Sequence, residues 1–302
     1  MEAEPLWVIT GPTASGKSSL AVELAERMDL EILSMDSMAI YRRMDIGTAK
    51  PTAEQRRRAP HHLIDLVEPD DSFDTGRYCE AAARSVEEVL ARGKRPLFVG
   101  GTPLYMMAFF KGLIPTAPAR PELRAALEQR EDTEPGWLHQ ELTAKDADAA
   151  ARIHRHDRKR LVRALEVIEV TGRKISEQQT SFDSPSWQRP CRIVALRRDR
   201  EELHERVKIR TREMLEQGLL DETRAIRDSC GFSRQSAAAI GYAQCLDHLR
   251  GRFKDQEELR NRIRRATHRL IRRQTTWLRH IPEVRWISPD EGCDGLSAVI
   301  EG

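Results

Sequence analysis

The chain has no long hydrophobic run. Its densest apolar stretch, Leu104 to Phe110, falls well short of the roughly 18 residues a membrane span needs. No basic segment precedes the first apolar run, which follows Met1-Glu2-Ala3-Glu4-Pro5, so a secretory leader is not expected. Cysteine is sparse. Cys79, Cys191, Cys230, Cys245 and Cys293 lie far apart with no C-x-x-C, a pattern of neither a disulfide framework nor a zinc knuckle. Neither sign of charge dominates: 50 Lys+Arg stand against 48 Asp+Glu, for a formal net charge of +2. The total therefore says nothing about a polyanionic partner. Internal repeats and low-complexity tracts are also missing. These absences predict a soluble, cytoplasmic protein without a membrane partner. What remains is 302 residues, 39% hydrophobic and 32% charged, enough for one large domain or two modest ones with much solvated helix surface.

Short apolar runs recur between longer helical patterns. They are Leu6 to Thr10, Leu30 to Met35, Leu63 to Leu66, Pro96 to Val99, Ile193 to Leu196 and Val284 to Ile287. Helical spacing separates most of them, as in Lys17 to Arg27 and Arg77 to Arg92, and strands so spaced read as βαβ units of a parallel sheet. Residues 113–190 break the alternation with helical patterns alone, between proline clusters near 115–121 and 181–185. The expectation is an α/β fold, a P-loop NTPase-like parallel sheet flanked by helices with an all-helical insertion domain. Its core domain is 1–112 with 191–302, and the insertion is 113–190.

Gly11-Pro12-Thr13-Ala14-Ser15-Gly16-Lys17-Ser18 matches G-x-x-x-x-G-K-[ST], with an apolar strand before it and an amphipathic helix after it. Glycines let backbone N–H groups curl round a diphosphate at a helix N-terminus. Lys17 adds a mobile cation, and the Ser18 hydroxyl is a candidate Mg²⁺ ligand. An ordinary P-loop ATPase also has an apolar strand ending in Asp. Here the strand at Leu97-Phe98-Val99 ends in Gly100-Gly101-Thr102, and the nearest strand-end acid is Asp36. Strand C-termini of a parallel sheet converge on one crevice, so Asp36, Thr102 and the phosphate loop should share a site. An acid, a hydroxyl and a diphosphate cradle suggest proton removal and leaving-group stabilisation rather than ATP hydrolysis. The plainer alternative stays open: Asp36 and Thr102 are equally placed to cap turns or helices.

The phosphate loop is one of many words that resemble the tRNA dimethylallyltransferase (tRNA isopentenyltransferase) family. The others include Asp36-Ser37-Met38, Met44-Asp45-Ile46-Gly47-Thr48-Ala49-Lys50-Pro51, His61-His62-Leu63-Ile64-Asp65, Gly100-Gly101-Thr102, Arg163-Ala164-Leu165-Glu166-Val167, Ile240-Gly241-Tyr242 and Arg273-Gln274. The resemblance implies a reaction. Dimethylallyl diphosphate lies with its diphosphate on Gly11 to Ser18 and Arg210, with Mg²⁺, and the N6 amine of the adenine 3′ of the tRNA anticodon displaces pyrophosphate. By the same resemblance Asp36, Thr102 and Arg124 are catalytic. Asp36, Ser37, Met38 and Ala39, with Lys159, Arg160, Leu161, Val162 and Arg163, face the anticodon arm. Ala39, Pro103, His156 and the alanines around Ile240-Gly241-Tyr242 depart from common family words, chiefly where the base would be recognised.

Charge distribution supports an RNA partner more than the total does. Arg260 to Arg279 holds eight arginines and no acid, interleaved with Ile263, Leu270, Ile271, Trp277 and Leu278. A second cluster, Arg152, Arg155, Arg158, Lys159, Arg160 and Arg163, lies in the insertion. Both could instead be solvated faces. Three other functions share parts of the pattern: prenylation of a free adenine nucleotide, a small-molecule kinase and a catalytically inert RNA-binding protein. No obligatory protein partner is implied.

Overall fold

The computed structural model describes residues 4–112, 120–178 and 187–301. It divides into two compact units, Met1–Phe110 with Arg189–Gly302, and Lys111–Gln188. The proline-rich junctions at 115–119 and 181–185 lie outside the described residues.

The larger unit is built on six parallel strands: β1 (Leu6–Thr10), β2 (Leu30–Ser34), β3 (His61–His62), β4 (Arg95–Val99), β5 (Cys191–Leu196) and β6 (Val284–Ile287). Their spatial order is β3-β2-β4-β1-β5-β6. Val8, Ile9, Leu33, Leu97, Phe98, Val194 and Leu196 have no exposed surface, as expected of strands covered on both faces. On one face α1 (Lys17–Met28) and the chain's last helix pack over Trp7, Ile9, Leu97 and Val194. On the other, α3 (Thr75–Ala91) meets α4 (Pro103–Phe110), whose six consecutive residues Tyr105–Phe110 are all buried. The short α2 (Ala53–Arg58) precedes β3.

One expected strand is misplaced. Leu63 to Leu66 is not extended: Leu63 and Asp65 adopt φ +62° and +56°. Pairing stops at His61 and His62, opposite Ile32 and Leu33. Asp65 is held by the Lys50 ammonium at 2.5 Å and the Arg56 guanidinium at 3.0 Å, and the Leu66 N–H donates to the Ile40 carbonyl at 2.7 Å. A buried cation that needs the Asp65 carboxylate thus overrides the local apolar pattern.

The smaller unit contains α5 (Pro121–Thr133), α6 (Trp137–Lys145), α7 (Ala147–Arg152), α8 (Arg158–Thr171) and α9 (Ile175–Gln178). Leu138, Leu142, Leu161, Leu165 and Val167 form its core. After β5, the larger unit continues with α10 (Arg200–Glu216), α11 (Leu219–Asp228), α12 (Tyr242–Leu249), α13 (Gln256–Arg279) and, past β6, α14 (Gly292–Glu301). Among the described residues no helix is long and apolar enough to cross a membrane.

Candidate active site

Gly11 to Gly16 joins β1 to α1. A Cβ on Gly11 (φ +140°) would meet the Leu196 carbonyl oxygen at 3.0 Å and Ser15 Oγ at 3.1 Å, so only glycine fits beside β5. Gly16 (φ +95°) opens α1 with no side-chain cap, leaving the first helical N–H groups as donors for an anion. Ser15 is fully buried, and its Oγ has no partner among the described residues. An oxygen-rich anion in the loop would supply the missing acceptor.

Groups around the loop occupy its carbonyls. Lys17 Nζ donates to the Pro12 oxygen at 3.2 Å, Arg206 Nε to that of Ala14 at 2.7 Å, and Arg198 Nε to that of Ser15 at 2.9 Å. Gln274, buried on α13, accepts from the Thr13 N–H at 2.9 Å and donates to the Gly101 carbonyl at 2.6 Å. That one amide ties the phosphate loop to the turn after β4.

The same turn carries Thr102. Ser34 at the end of β2 pairs with Val99 at the end of β4, so the residues that follow each strand emerge side by side. The Ser37 N–H donates to Thr102 Oγ1 at 3.1 Å, and the Thr102 N–H to the Met35 carbonyl at 3.2 Å. Asp36 Oδ1 accepts from the N–H groups of Met38 (2.8 Å) and Ala39 (3.3 Å). Asp36 is therefore a turn cap, but only through one oxygen; Oδ2 has no hydrogen bond among the described residues. The capping reading and the chemical reading use different atoms.

Electrostatics couples the two halves of the site. Burial pushes the Lys17 ammonium down to about 8, against the pull of Asp36, and the Arg210 charge lowers it further. Arg210 itself is lowered by burial and steadied by Asp36. Stacked tyrosines, Tyr78 and Tyr105 at 3.8 Å between ring centroids, have phenols raised by burial and then by neighbours that include Asp36. A cavity of about 850 Å³ opens beside the phosphate loop, lined by Lys17, Ser18, Ile46, Lys50, Arg206 and Arg210. Asp36 and Thr102 do not line it. Lys17 is the link, facing the cavity while it feels the Asp36 charge.

The opposite cavity wall, Asp45 to Lys50, has no regular structure and is held from outside. Glu222 accepts from the N–H groups of Asp45, Ile46 and Gly47 at 3.0–3.4 Å, and Tyr242 Oη donates to Glu222 at 2.5 Å. A Cβ on Gly47 would collide with the Tyr242 ring. Glu222→Ala removes the shared acceptor of three exposed or half-buried N–H groups and is expected to cost about 1–2 kcal/mol, read as a lower denaturation midpoint. Glu222→Gln keeps an acceptor and should lose less than half of that.

In the helical unit, Glu166 is fully buried and grips Arg124 through two hydrogen bonds of 2.8 Å, with Arg163 on one of the same oxygens and the Arg120 N–H at 2.7 Å. These groups hold the Glu166 carboxyl below its ordinary value although burial alone would raise it. Removing it takes the shared carboxylate from two partly exposed guanidiniums. Glu166→Ala is expected to lower stability by about 2–4 kcal/mol, with chemical denaturation as the check. Lys159 and Arg160 are exposed. Leu161 and Val162, expected to face RNA, instead bury their side chains in this unit's core. Ala39 is also buried, while Ser37 and Met38 are partly exposed. A helix can offer only one face outward, and the apolar positions lie on the other.

On α13, Arg260 and Arg262 pair with Glu257 and Glu258 in its first turn. Arg265, Arg269, Arg272, Arg273 and Arg279 are exposed and have no acidic partner among the described residues. Trp277 does not join the apolar face: it is 40% exposed among these arginines, while Leu278 is buried.

A family model described as IPP transferase matches residues 39–281. A relative from Methylococcus capsulatus, named tRNA dimethylallyltransferase, is 44% identical over 301 residues, covering 98% of this chain and 95% of its own. The chain belongs to the tRNA dimethylallyltransferase family. A Thermotoga petrophila relative of the same name is 43% identical over 92% of this chain and 90% of its own. A solved full-length tRNA isopentenylpyrophosphate transferase from Bacillus halodurans aligns with TM-score 0.69 and 36% identity, covering 95% of this chain and 90% of its own. A eukaryotic dimethylallyltransferase, solved acting on tRNA, aligns with TM-score 0.82 at 25% identity over 99% of this chain and 79% of its own. A second family model, isopentenyl transferase, matches only residues 4–65, which hold the phosphate loop and Asp36.

Reading the sequence for a tRNA dimethylallyltransferase misses Arg198, Arg206 and Glu222, and leaves Gln274 and Tyr242 as words without roles. One signal was available for Arg206, which stands a helical turn before Arg210 on the same face. The others act across more than a hundred residues of chain, at spacings no local pattern reveals.

Proposed function

We propose that this chain transfers the dimethylallyl group of dimethylallyl diphosphate to the N6 amine of the adenine 3′-adjacent to the tRNA anticodon, releasing pyrophosphate. The observation that carries the reading is the uncapped phosphate loop beside the Asp36–Thr102 pair, coupled to it through Lys17. The amine nitrogen attacks the first carbon of the prenyl chain as the carbon–oxygen bond to the diphosphate breaks. Its proton passes to Asp36 Oδ2 while Oδ1 keeps the turn in place. An aryl amine is a poor nucleophile, so a positioned acceptor aids attack. Lys17, Arg210 and the first N–H groups of α1 balance charge growing on the leaving diphosphate. Arg124 is the further catalytic residue implied by the family resemblance.

The loop's donor set fits a magnesium diphosphate: Ser18 is exposed at the start of α1, and Mg²⁺ favours one or two protein oxygens with phosphate and water making up the rest. Bound there, Mg²⁺ would withdraw electron density from the leaving group. Lys159 and Arg160 in the helical unit and the unpaired arginines of α13 are the RNA contacts. The adenine must leave its stack to reach Asp36, as in other base-modifying enzymes.

The test is incubation with Mg²⁺, dimethylallyl diphosphate and either an anticodon stem-loop or AMP, followed by mass measurement. A gain of one prenyl mass on the adenine next to the anticodon is expected. Product on AMP alone would favour prenylation of a free nucleotide instead, the activity that shares only the segment around the phosphate loop and Asp36.

A further inference from the structure

Two arginines of α10, one turn apart, face the phosphate loop. Arg210 belongs to the diphosphate site described above. Arg206 lines the same cavity, and its Nε–H donates to the Ala14 carbonyl at 2.7 Å, which fixes the guanidinium plane at the loop's edge. Its Nη2, like that of Arg198, stands 3.7 Å from where a Cβ on Gly16 would lie, beside the residue that opens α1. No acid pairs with Arg206 among the described residues. Arg198 makes a useful contrast. It has the same kind of bond to the next carbonyl, that of Ser15, but its Nη1 is engaged by Glu202 and lies 3.8 Å from Asp290. Arg198 gives one terminal nitrogen to acids and does not line the cavity, whereas Arg206 lines it with both terminal nitrogens uncommitted.

We infer that Arg206 is a second guanidinium ligand of the prenyl donor's diphosphate, and of the pyrophosphate left after transfer. The inference rests on the diphosphate reading of the loop. The Nε–Ala14 bond pre-orients the side chain, so little rotamer freedom is lost when Nη1 and Nη2 meet phosphate oxygens. Arg206 and Arg210, at i and i+4 on one helix, then hold the anion from the cavity side, opposite the N–H groups of α1. Free of acidic partners, Arg206 also balances the charge that the product carries and the donor's ester bond does not.

Pyrophosphate binding by calorimetry, with the donor KM, tests this on the full chain in wild type, Arg206→Ala, Arg206→Lys, Arg198→Ala and Lys17→Ala. Arg206→Ala should weaken pyrophosphate binding about 10- to 100-fold and raise the donor KM by a similar factor, with the stem-loop KM unmoved. Arg206→Lys, which keeps a cation but not the fork, should recover part of the loss. Arg206→Gln serves in place of either variant if it melts early. Equal losses in Arg198→Ala and Arg206→Ala would reduce Arg206 to a brace and overturn the inference, as would an Arg206→Ala affinity within twofold of wild type. If wild-type protein bound no pyrophosphate, or Lys17→Ala bound it as well as wild type, the diphosphate reading itself would fall.

Discussion

Asp36→Asn should slow prenyl transfer by about 10²–10⁴-fold while keeping the turn that Asp36 caps. The size is that of a lost general base. The intact turn follows from the division of labour between the two carboxylate oxygens, while the lost charge lowers the melting midpoint somewhat because Lys17 and Arg210 both lean on it. Asparagine keeps an oxygen where Oδ1 accepts from the Met38 and Ala39 N–H groups, and replaces only the oxygen that carries no bond. Asp36→Ala should be as slow and, in addition, less stable by about 1 kcal/mol, because the turn loses its cap. Single-turnover transfer to an anticodon stem-loop, run beside melting curves for both variants, separates the roles. If Asp36→Asn transferred at near wild-type rate, Asp36 would be a cap and nothing more. Thr102 predicts a smaller effect. Its hydroxyl accepts from the Ser37 N–H, so Thr102→Val should disturb the placement of Asp36 before it disturbs any chemistry.

What could be read from the sequence was the part written in local spacing. The phosphate loop announces itself by eight consecutive residues, and five of six strands by apolar runs between helices. The β3 segment failed because its conformation is set by Lys50, whose ammonium is buried and recruits Asp65, Asp45 and the Tyr41 carbonyl. Nothing in Leu63-Ile64-Asp65-Leu66 records that demand. Trp277 failed for a related reason. Helical periodicity allotted the apolar residues of α13 to one face, but the interior position there went to Gln274, whose amide serves Thr13 and Gly101 on either side of the site. A polar residue inside and an aromatic outside is the reverse of the patterning rule, and it occurs where the site needs a two-way hydrogen-bonding group. Leu161 and Val162 show the converse limit. A contiguous motif can be quoted as one functional word although a helix turns half of it inward.

Lys17→Met should abolish donor binding and make the protein more stable. Burial has lowered the Lys17 ammonium from 10.5 to about 8, so folding favours the neutral form. A group with a depressed folded-state value is protonated in both states below about pH 8, and there its cost to stability is complete. Between about 8 and 10.5 only the unfolded chain holds the extra proton, so the cost shrinks as pH rises and is gone above that range. The shift is worth about 3 kcal/mol at neutral pH, offset in part by the bond from Nζ to the Pro12 carbonyl, which methionine cannot make. A net gain of about 1–3 kcal/mol is expected at pH 7, fading toward pH 10, measurable by urea denaturation across that range. The same titration governs binding. The cradle loses its mobile cation as pH rises through about 8, so kcat/KM for the donor should fall on that limb. Lys17→Arg keeps a charge that does not titrate there and should flatten the limb, even if its fork fits the loop less well. A limb that survived in Lys17→Arg would assign the alkaline loss to another group. A Lys17→Met protein no more stable than wild type at pH 7 would mean that burial does not penalise the ammonium. Both expectations come from one tension: the cation that would hold the diphosphate is one that the folded chain buries at a cost.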